Sequence, residues 1–493
     1  MVRQRFRTGF SRSIESRWAF AIRLAIAVAA LHPVIVGRGQ PRLFLLLALV
    51  LPGALFLMDA PFRRRQLGTA RGLWAGLRAD VPEWRRWWAG FVFVGAPVGL
   101  IYLLHPYGHI DSGDTWAVVP TAASVVREGN AEIREFVPLA PREYSSTDKE
   151  LPYGAIEMPH GVYSRYPAGM TLYAVPFVGI AYLAGADLDD PKTIDALDRS
   201  AAAGVAVLLG LLFFRTALHL TDPPAALAAT WLLAVGSGVY STISQTLWQH
   251  GGVMIGFLLL LNGEYDPRLR QSRWGLALQG FAVGTMFACR LSSGVLVAAF
   301  GLWLLGRDPR RALKFGLAAA VGLLPWILFY QFDYGTPLGP AQSQMAAGGW
   351  RTDLLEPLAG VLFSPGRGLF VYQSWVALAL WGLWLGRRSD RTWMLAASAV
   401  LHILLISGWT CWWGGSAWGS RLLCETLPLF ALLCLQPIKA ILKWKWGRAI
   451  AVVGIALAAV PHTAGIWCFG LSANWKLEEE PTMWSPPAWE ALL

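Results

Sequence analysis

Apolar runs of membrane-spanning length recur along the whole chain, and they fix its class before any motif is considered. A helix needs about 20 predominantly apolar residues to cross the hydrocarbon core of a bilayer. Only 15% of the residues are charged, against roughly a quarter in soluble proteins. The candidate spans are residues 18–37, 42–58, 88–105, 166–184, 200–218, 225–245, 246–263, 274–289, 291–306, 314–332, 369–386, 393–408, 423–437 and 449–469. The sequence predicts an all-α, polytopic integral membrane protein.

The net charge of +11 comes from basic residues in short loops between these spans. They lie at 63–65, 85–86, 268–273, 307–311, 387–388 and 439–448. The positive-inside rule places such loops in the cytoplasm. The charge is therefore interpreted as a topology signal that involves membrane lipids, and not as a nucleic-acid footprint. Loops 106–165, 333–368 and 409–422 are then expected on the outer face.

The number of spans follows from the same rule. Four apolar segments separate the outer loop 106–165 from the basic loop 264–273. These two loops are expected on opposite faces of the membrane, so the chain between them must cross it an odd number of times. Segment 166–184, which contains Pro167 and Pro176, is the first candidate not to span, and roughly 13 transmembrane helices are expected. The predicted regions are an N-terminal hairpin with a basic loop (1–87), a membrane core (88–332) and a C-terminal membrane region (333–493).

The outer loop opens with two carboxylates, Asp111 and Asp114, directly after an outward-running span. Charge at a membrane boundary is costly and is typical of functional positions. The following segment, 116–128, has the pattern of an amphipathic helix lying in the membrane interface, and Gly129 is expected to end it. Asp114 is therefore either the N-terminal cap of this helix or a general base. Asp111 has no comparable structural role and is the second candidate for the general base.

The end of the same loop concentrates polar and aromatic residues before the next apolar run. They are His160, Tyr163, Arg165 and Tyr166. Together with the carboxylates they suit a sugar carried on a lipid phosphate, because a carboxylate can accept a hydroxyl proton and Arg can bind phosphate through several donors. The alternative is an aromatic belt with Arg reaching the lipid headgroups.

Cofactor motifs are absent from the sequence, which has no Walker loop and no HExxH zinc motif. His109, Asp111 and Asp114 could bind a divalent cation, although their spacing follows no fixed ligand pattern. A cation is thus an open alternative, and no other cofactor is expected.

Several segments together resemble the type C (GT-C) glycosyltransferases, polytopic enzymes that use polyprenyl-phosphate-linked sugars on the outer face. Asp114 with Ala122 and Gly129 matches the spacing of the family's acidic loop, and Tyr166-Pro167-Ala168-Gly169 stands where members have a Pro-rich entry to the next helix. Further matching segments are 289–292, 332–337, 364–370 and 412–421. The resemblance covers about 88–440. It implies a polyprenyl-phosphate sugar donor, a glycan, lipid or protein acceptor, a bacterial inner membrane and an active site on its outer face.

Under this resemblance, the outward arginines are candidate ligands of the donor phosphate. They are Arg165, Arg290, Arg367 and Arg421. The alternatives are contact with anionic headgroups or a local ion pair, such as Arg421 with Glu425 at i, i+4. His250, Trp412 and Trp413 are candidate cavity-lining residues, since Trp faces stack on sugars but Trp is equally common at the membrane interface.

Two other classes of function compete with a glycosyltransferase. A lipid or glycolipid transporter would be expected to contain two structural repeats and charges near the bilayer midplane, and neither is evident in the sequence. A non-catalytic scaffold for envelope assembly would differ from a glycosyltransferase only in lacking transfer activity.

Overall fold

The structure, a computed structural model, describes residues 72, 74–77, 83–103, 112–141, 151–340, 349–415 and 417–467. The chain divides into two compact units, Met1–Ala89 and Gly90–Leu493. The candidate spans 18–37 and 42–58 lie outside the described residues, as do His109 and Asp111. The candidate site lies within the second unit.

The described residues are predominantly helical, as predicted. The helices are α1 (Glu83–Gly90), α2 (Ala96–Leu103), α3 (Val118–Glu128), α4 (Thr171–Leu183), α5 (Pro191–Leu218), α6 (Pro223–Val235), α7 (Gln249–Tyr265), α8 (Pro267–Arg270), α9 (Arg273–Cys289), α10 (Gly294–Arg307), α11 (Pro309–Tyr334), α12 (Leu355–Phe363), α13 (Leu369–Tyr372), α14 (Ala377–Leu385), α15 (Asp390–Ser407), α16 (Leu427–Leu433), α17 (Leu435–Leu442) and α18 (Gly447–Trp467). Short 3₁₀ or π segments stand at Phe91–Gly95, Arg134–Leu139, Ala168–Met170, Val239–Ile243, Leu291–Ser293, Ser374–Val376 and Arg421–Thr426.

Four helical segments of the described residues are long and apolar enough to cross a membrane. They are Arg85–Leu103, which joins α1 and α2 through the π-helical turn, Pro191–Leu218, Pro309–Tyr334 and Gly447–Ile466. There are five if the bent pair Arg421–Leu433 and Leu435–Leu442 counts as one span. Segment 166–184 instead forms a 3₁₀ turn followed by α4, which has 13 residues. A helix of that length rises about 20 Å, which is short of the hydrocarbon thickness. Segment 225–245 is also interrupted, because α6 ends at Val235 and a π-helical turn begins at Val239.

The described part of loop 106–165 contains α3 and an antiparallel hairpin that the sequence did not predict. Helix α3 ends at Gly129 with φ +74°, as expected from the glycine. The hairpin pairs β1 (Ala155–Met158) with β2 (Gly161–Ser164). It packs on a buried aromatic cluster around Tyr330 and Tyr334 at the end of α11.

Glycines allow the backbones behind the site to approach closely. A Cβ at Gly284 would collide with the carbonyl of Gly322, so α9 and α11 pack with almost no side chain between them. A Cβ at Gly169 would lie 2.5 Å from the backbone of Ala288 and Cys289. The glycine of the Tyr-Pro-Ala-Gly motif therefore lets the start of this segment contact the end of α9, immediately before Arg290.

Candidate functional site

An ion pair joins loop 106–165 to the C-terminal half of the chain. Asp114 Oδ2 accepts a hydrogen bond from Arg421 Nη1 at 2.8 Å, across 307 positions of sequence. The two side chains are only 20% and 10% exposed. Asp114 does not cap α3, whose N-cap is Ala117 with no side-chain hydrogen bond. The capping alternative for Asp114 is therefore wrong, because turn 113–117 separates the carboxylate from the helix start.

The N-terminal end of α7 holds the Asp114 loop in place. Gln249 Nε2 donates to the Asp114 carbonyl at 3.1 Å, and Thr246 Oγ1 donates to Thr115 Oγ1 at 2.7 Å. Trp248 lies between Thr246 and Gln249 in the sequence. The centre of its ring lies 4.0 Å from the Arg421 guanidinium carbon. Cation–π contact fixes the plane of the guanidinium and adds to its binding energy.

Arg421 has donor capacity that no described residue uses. Its Nη1 contacts Asp114 and its Nη2 donates to the Gly414 carbonyl, whereas its buried Nε has no hydrogen-bond partner within the described residues. A buried, unsatisfied donor is costly. An anion that bound alongside the guanidinium would remove that cost.

Tyr166 connects Asp114 to the exposed part of the hairpin. Its hydroxyl lies 2.7 Å from the hydroxyl of Tyr153, which is 49% exposed. Burial, and then the nearby Asp114 carboxylate, raise the pKa of Tyr166, so the phenol stays protonated. The Tyr166 hydroxyl donates to Tyr153 and interacts with Asp114, so it lies between the carboxylate and the exposed tyrosine. Arg165 lies beside this pair, with its guanidinium carbon 5.7 Å from the Tyr153 ring centre.

A second arginine, Arg290, lies between α9 and the following 3₁₀ turn and is 20% exposed. Its Nε contacts Glu425 Oε1 at 2.9 Å and Ser292 Oγ at 3.2 Å, and its Nη1 lies 3.4 Å from His250 Nε2. Arg290 also interacts electrostatically with both Asp114 and Arg421. Two arginines and one carboxylate of the predicted set therefore share one region.

Glu425 pairs with Arg290 and not with Arg421, so the alternative of a local i, i+4 ion pair is wrong. Residues 421–426 form a 3₁₀ helix, in which positions three apart are aligned and positions four apart are not. The Glu425 carboxylate is fully buried, and it also contacts His250 Nδ1 at 3.0 Å and His402 Nε2 at 3.4 Å.

Arg367 contacts the backbone of the Trp-rich loop. Its three nitrogens donate to the carbonyls of Trp413 at 3.0 Å, Gly366 at 3.1 Å and Gly415 at 2.8 Å. Trp412 is buried against Gly360, where an added Cβ would collide with its ring. The indole nitrogen of Trp413 is buried without a hydrogen-bond partner in the part of the chain that is described. These contacts give Arg367 a role in shaping the loop, and phosphate binding by it stays a prediction.

His160 and Tyr163 contact the end of α11. The His160 ring stacks on Phe332 at 5.5 Å, and the Tyr163 hydroxyl donates to Asp333 Oδ1 at 3.2 Å. Burial, with the Asp333 charge second, raises the pKa of Tyr163 to about 12. Of the four residues predicted from this part of the loop, Tyr166 is the one near Asp114. A role for His160 or Tyr163 in lining the site stays a prediction.

The residues predicted to bind a cation are mostly outside the described ranges. Within those ranges, no group of three or more His, Cys, Asp or Glu side chains is arranged to hold a metal ion. Asp114, the described member of the predicted set, is occupied by Arg421.

Sequence reasoning missed the partners of the predicted residues. Gln249 and Trp248 stand next to His250 in the sequence, but nothing in the sequence indicates that they lie near Asp114 and Arg421. His402 lies within an ordinary apolar segment. Only Glu425, a carboxylate inside a predicted span, could have been found, because such charges are usually functional or paired.

Comparison with solved structures identifies similar folds. The oligosaccharyltransferase of Archaeoglobus fulgidus, crystallised in the apo form, aligns with a TM-score of 0.51 at 12% identity over 77% of this chain and 56% of its own. ArnT from Cupriavidus metallidurans, crystallised with undecaprenyl phosphate, aligns with a TM-score of 0.48 at 14% identity over 77% and 75%. The chain thus spans little more than half of the archaeal enzyme.

No protein-family model and no curated protein sequence matches the chain. The likeness to the archaeal enzyme, at 12% identity, is one of fold. It confirms the resemblance to the type C glycosyltransferases at that level.

Proposed function

We propose that this protein is a glycosyltransferase that moves a sugar from a polyprenyl-phosphate donor to a hydroxyl acceptor at the outer face of the membrane. The observation that carries the proposal is the Asp114–Arg421 pair, a base and a phosphate ligand held 2.8 Å apart in a partly buried site. The fold shared with an oligosaccharyltransferase supports the same class of reaction.

In the proposed reaction the acceptor oxygen attacks the anomeric carbon of the sugar, and the bond from that carbon to the phosphate oxygen breaks. The phosphate leaves with the bonding electron pair, and the acceptor proton passes to the carboxylate of Asp114. Attack opposite the leaving group inverts the anomeric centre. Asp114 Oδ2 contacts Arg421, which leaves Oδ1 as the oxygen for the acceptor hydroxyl.

Arg421 and Arg290 are assigned to the donor phosphate. Negative charge grows on the leaving phosphate, and preorganised cations in a partly buried site stabilise it without reorganisation. Arg421 offers its Nε, which has no hydrogen-bond partner within the described residues. Arg290 is partly exposed and, among the described residues, contacts protein groups through Nε and Nη1 only. Arg165 is a further candidate at the hairpin side, and Arg367 supports the loop that carries the Gly414 carbonyl.

No step in this mechanism requires a metal ion. A cation bound by His109, Asp111 and Asp114 stays a proposal of its own, which removal by EDTA would test. The acceptor is proposed only as a glycan, lipid or protein hydroxyl, and the membrane as a bacterial inner membrane.

The test is to incubate the purified protein with a panel of polyprenyl-phosphate sugars and candidate acceptors, and to identify products by mass spectrometry. We expect a glycosylated acceptor and free polyprenyl phosphate with one donor. If no donor yields product but the protein moves the lipid across proteoliposome membranes, the transporter class replaces the proposal.

A further inference from the structure

A buried carboxylate behind the proposed phosphate site has no role in the reaction as written. Glu425 is fully buried, and its oxygens contact Arg290, His250 and His402. A buried ion pair is weak evidence for stability, because desolvation of both charges offsets most of their attraction. The arrangement therefore calls for an explanation in terms of what it positions.

Hydrogen-bond chemistry fixes the state of His250. Arg290 Nη1 can only donate, so His250 Nε2 must accept, and the proton lies on Nδ1, which donates to Glu425 Oε1. His250 is thus a neutral bridge between the two charges. One carboxylate and one guanidinium remain, and their charges cancel.

His402 closes the other side of the carboxylate. Its Nε2 faces both the Leu422 carbonyl at 3.2 Å and Glu425 Oε2 at 3.4 Å. Its Nδ1 has no partner within the described residues, so that nitrogen carries a lone pair and His402 is neutral as well. Glu425 is consequently hydrogen-bonded by one neutral ring, His250, while the neutral His402 ring lies beside Oε2, which has no hydrogen-bond partner within the described residues. Arg290 is the cation that balances the carboxylate.

The consequence is an oriented Arg290. Glu425 and Ser292 bind its Nε, and His250 meets its Nη1. Its Nη2 donates to no described residue, and the side chain is 20% exposed. The same region holds Asp114 and Arg421, with which Arg290 interacts electrostatically. The free edge of the guanidinium is therefore the edge available to an anion.

We infer that Glu425 is a positioning residue, which acts through Arg290 by holding the guanidinium with its free edge presented to the phosphate of the donor. The inference rests on the proposed function, since it assigns a purpose to Arg290 as a phosphate ligand. Glu425 touches neither substrate nor the reacting atoms.

The experiment measures binding of a polyprenyl phosphate to the full chain in detergent, with the uncharged polyprenol of the same length as the control ligand. Glu425→Gln keeps the size of the side chain but removes its charge, and we expect the Kd for the phosphate lipid to rise about tenfold. Binding of the polyprenol should not change. Turnover at saturating donor should fall as well, because the Arg290 that Glu425 orients also stabilises the charge that grows on the leaving phosphate.

A double-mutant cycle separates positioning from general damage. If Glu425 acts only through Arg290, Glu425→Gln added to Arg290→Gln should raise the Kd no further than Arg290→Gln alone. Additive losses would overturn the inference. If Glu425→Gln does not fold, Glu425→Asp decides instead, since it keeps the charge but shortens the side chain. A Kd unchanged from wild type in that variant would equally overturn the inference.

The matched control is Glu264, a buried carboxylate that pairs with Arg311 at 3.3 Å and Arg270 at 2.8 Å. It lies 14 positions after His250 on α7, about 20 Å along the helix axis. Glu264→Gln should change the Kd by less than about twofold.

The two proposals fail in different ways. Wild-type protein that binds no polyprenyl phosphate would overturn the proposed function and this inference with it. Wild-type protein that binds the lipid, with Glu425→Gln binding equally well, would overturn the inference alone.

Discussion

Replacing Asp114 with Asn separates the chemistry of the site from its stability. Asn cannot accept the acceptor proton, and loss of a general base lowers the rate by roughly 10²–10⁴-fold, or about 3–5 kcal/mol of barrier. The effect on folding should be much smaller. The Asn carbonyl can still accept from Arg421 Nη1, and the pair is 20% and 10% exposed. The lost charge should therefore cost only about 1 kcal/mol.

The assay follows product formation at saturating donor and acceptor, together with thermal unfolding of each variant in the same detergent. Asp190→Asn is the control, because Asp190 caps α5 by accepting from Lys192 N at 3.2 Å, and Asn caps helices as well as Asp. If Asp114→Asn transfers sugar at nearly the wild-type rate and Asp111→Asn is inactive, the general base is Asp111 and not Asp114. Transfer by both variants would refute the base mechanism.

Three further predictions follow from single contacts. Arg421→Lys should weaken binding of a polyprenyl phosphate less than Arg421→Ala does, because Lys keeps the positive charge. It should still bind more weakly than wild type, because Lys cannot contact Asp114, Gly414 and the Trp248 face together. Equal losses for the two variants in a titration would indicate a packing role. Gly169→Ala should lower both the unfolding temperature and transfer, because its Cβ would lie 2.5 Å from the Ala288 and Cys289 backbone, whereas Gly294→Ala, with open space around it, should change neither. Ser112→Cys, in a background without the five native cysteines, should react with a membrane-impermeant maleimide added to right-side-out vesicles; labelling only after the inner face is opened would contradict the outer-face assignment.

The helical membrane fold could be predicted because apolar length and charge segregation are properties of contiguous sequence. The end of α3 at Gly129 was predictable for the same reason, since a glycine's tolerance of positive φ is local. The hairpin at 155–164 was not, because its strands are only four residues long and Glu157 interrupts the apolar residues of the first strand. Its stability comes from Tyr330 and Tyr334, which lie far away in the sequence.

Pairing across the site could not be predicted, for a physical reason that Glu425 illustrates. The i, i+4 rule pairs Arg421 with Glu425 only if the segment is α-helical, and propensity does not distinguish an α-helix from a 3₁₀ turn over six residues. Once residues 421–426 wind as a 3₁₀ helix, the two charges point in different directions. Each must then find a counter-ion elsewhere, because neither can remain buried alone. Arg421 pairs with Asp114 and Glu425 with Arg290, so one local change of helix type connects the Asp114 loop, the end of α9 and the C-terminal region in a single site.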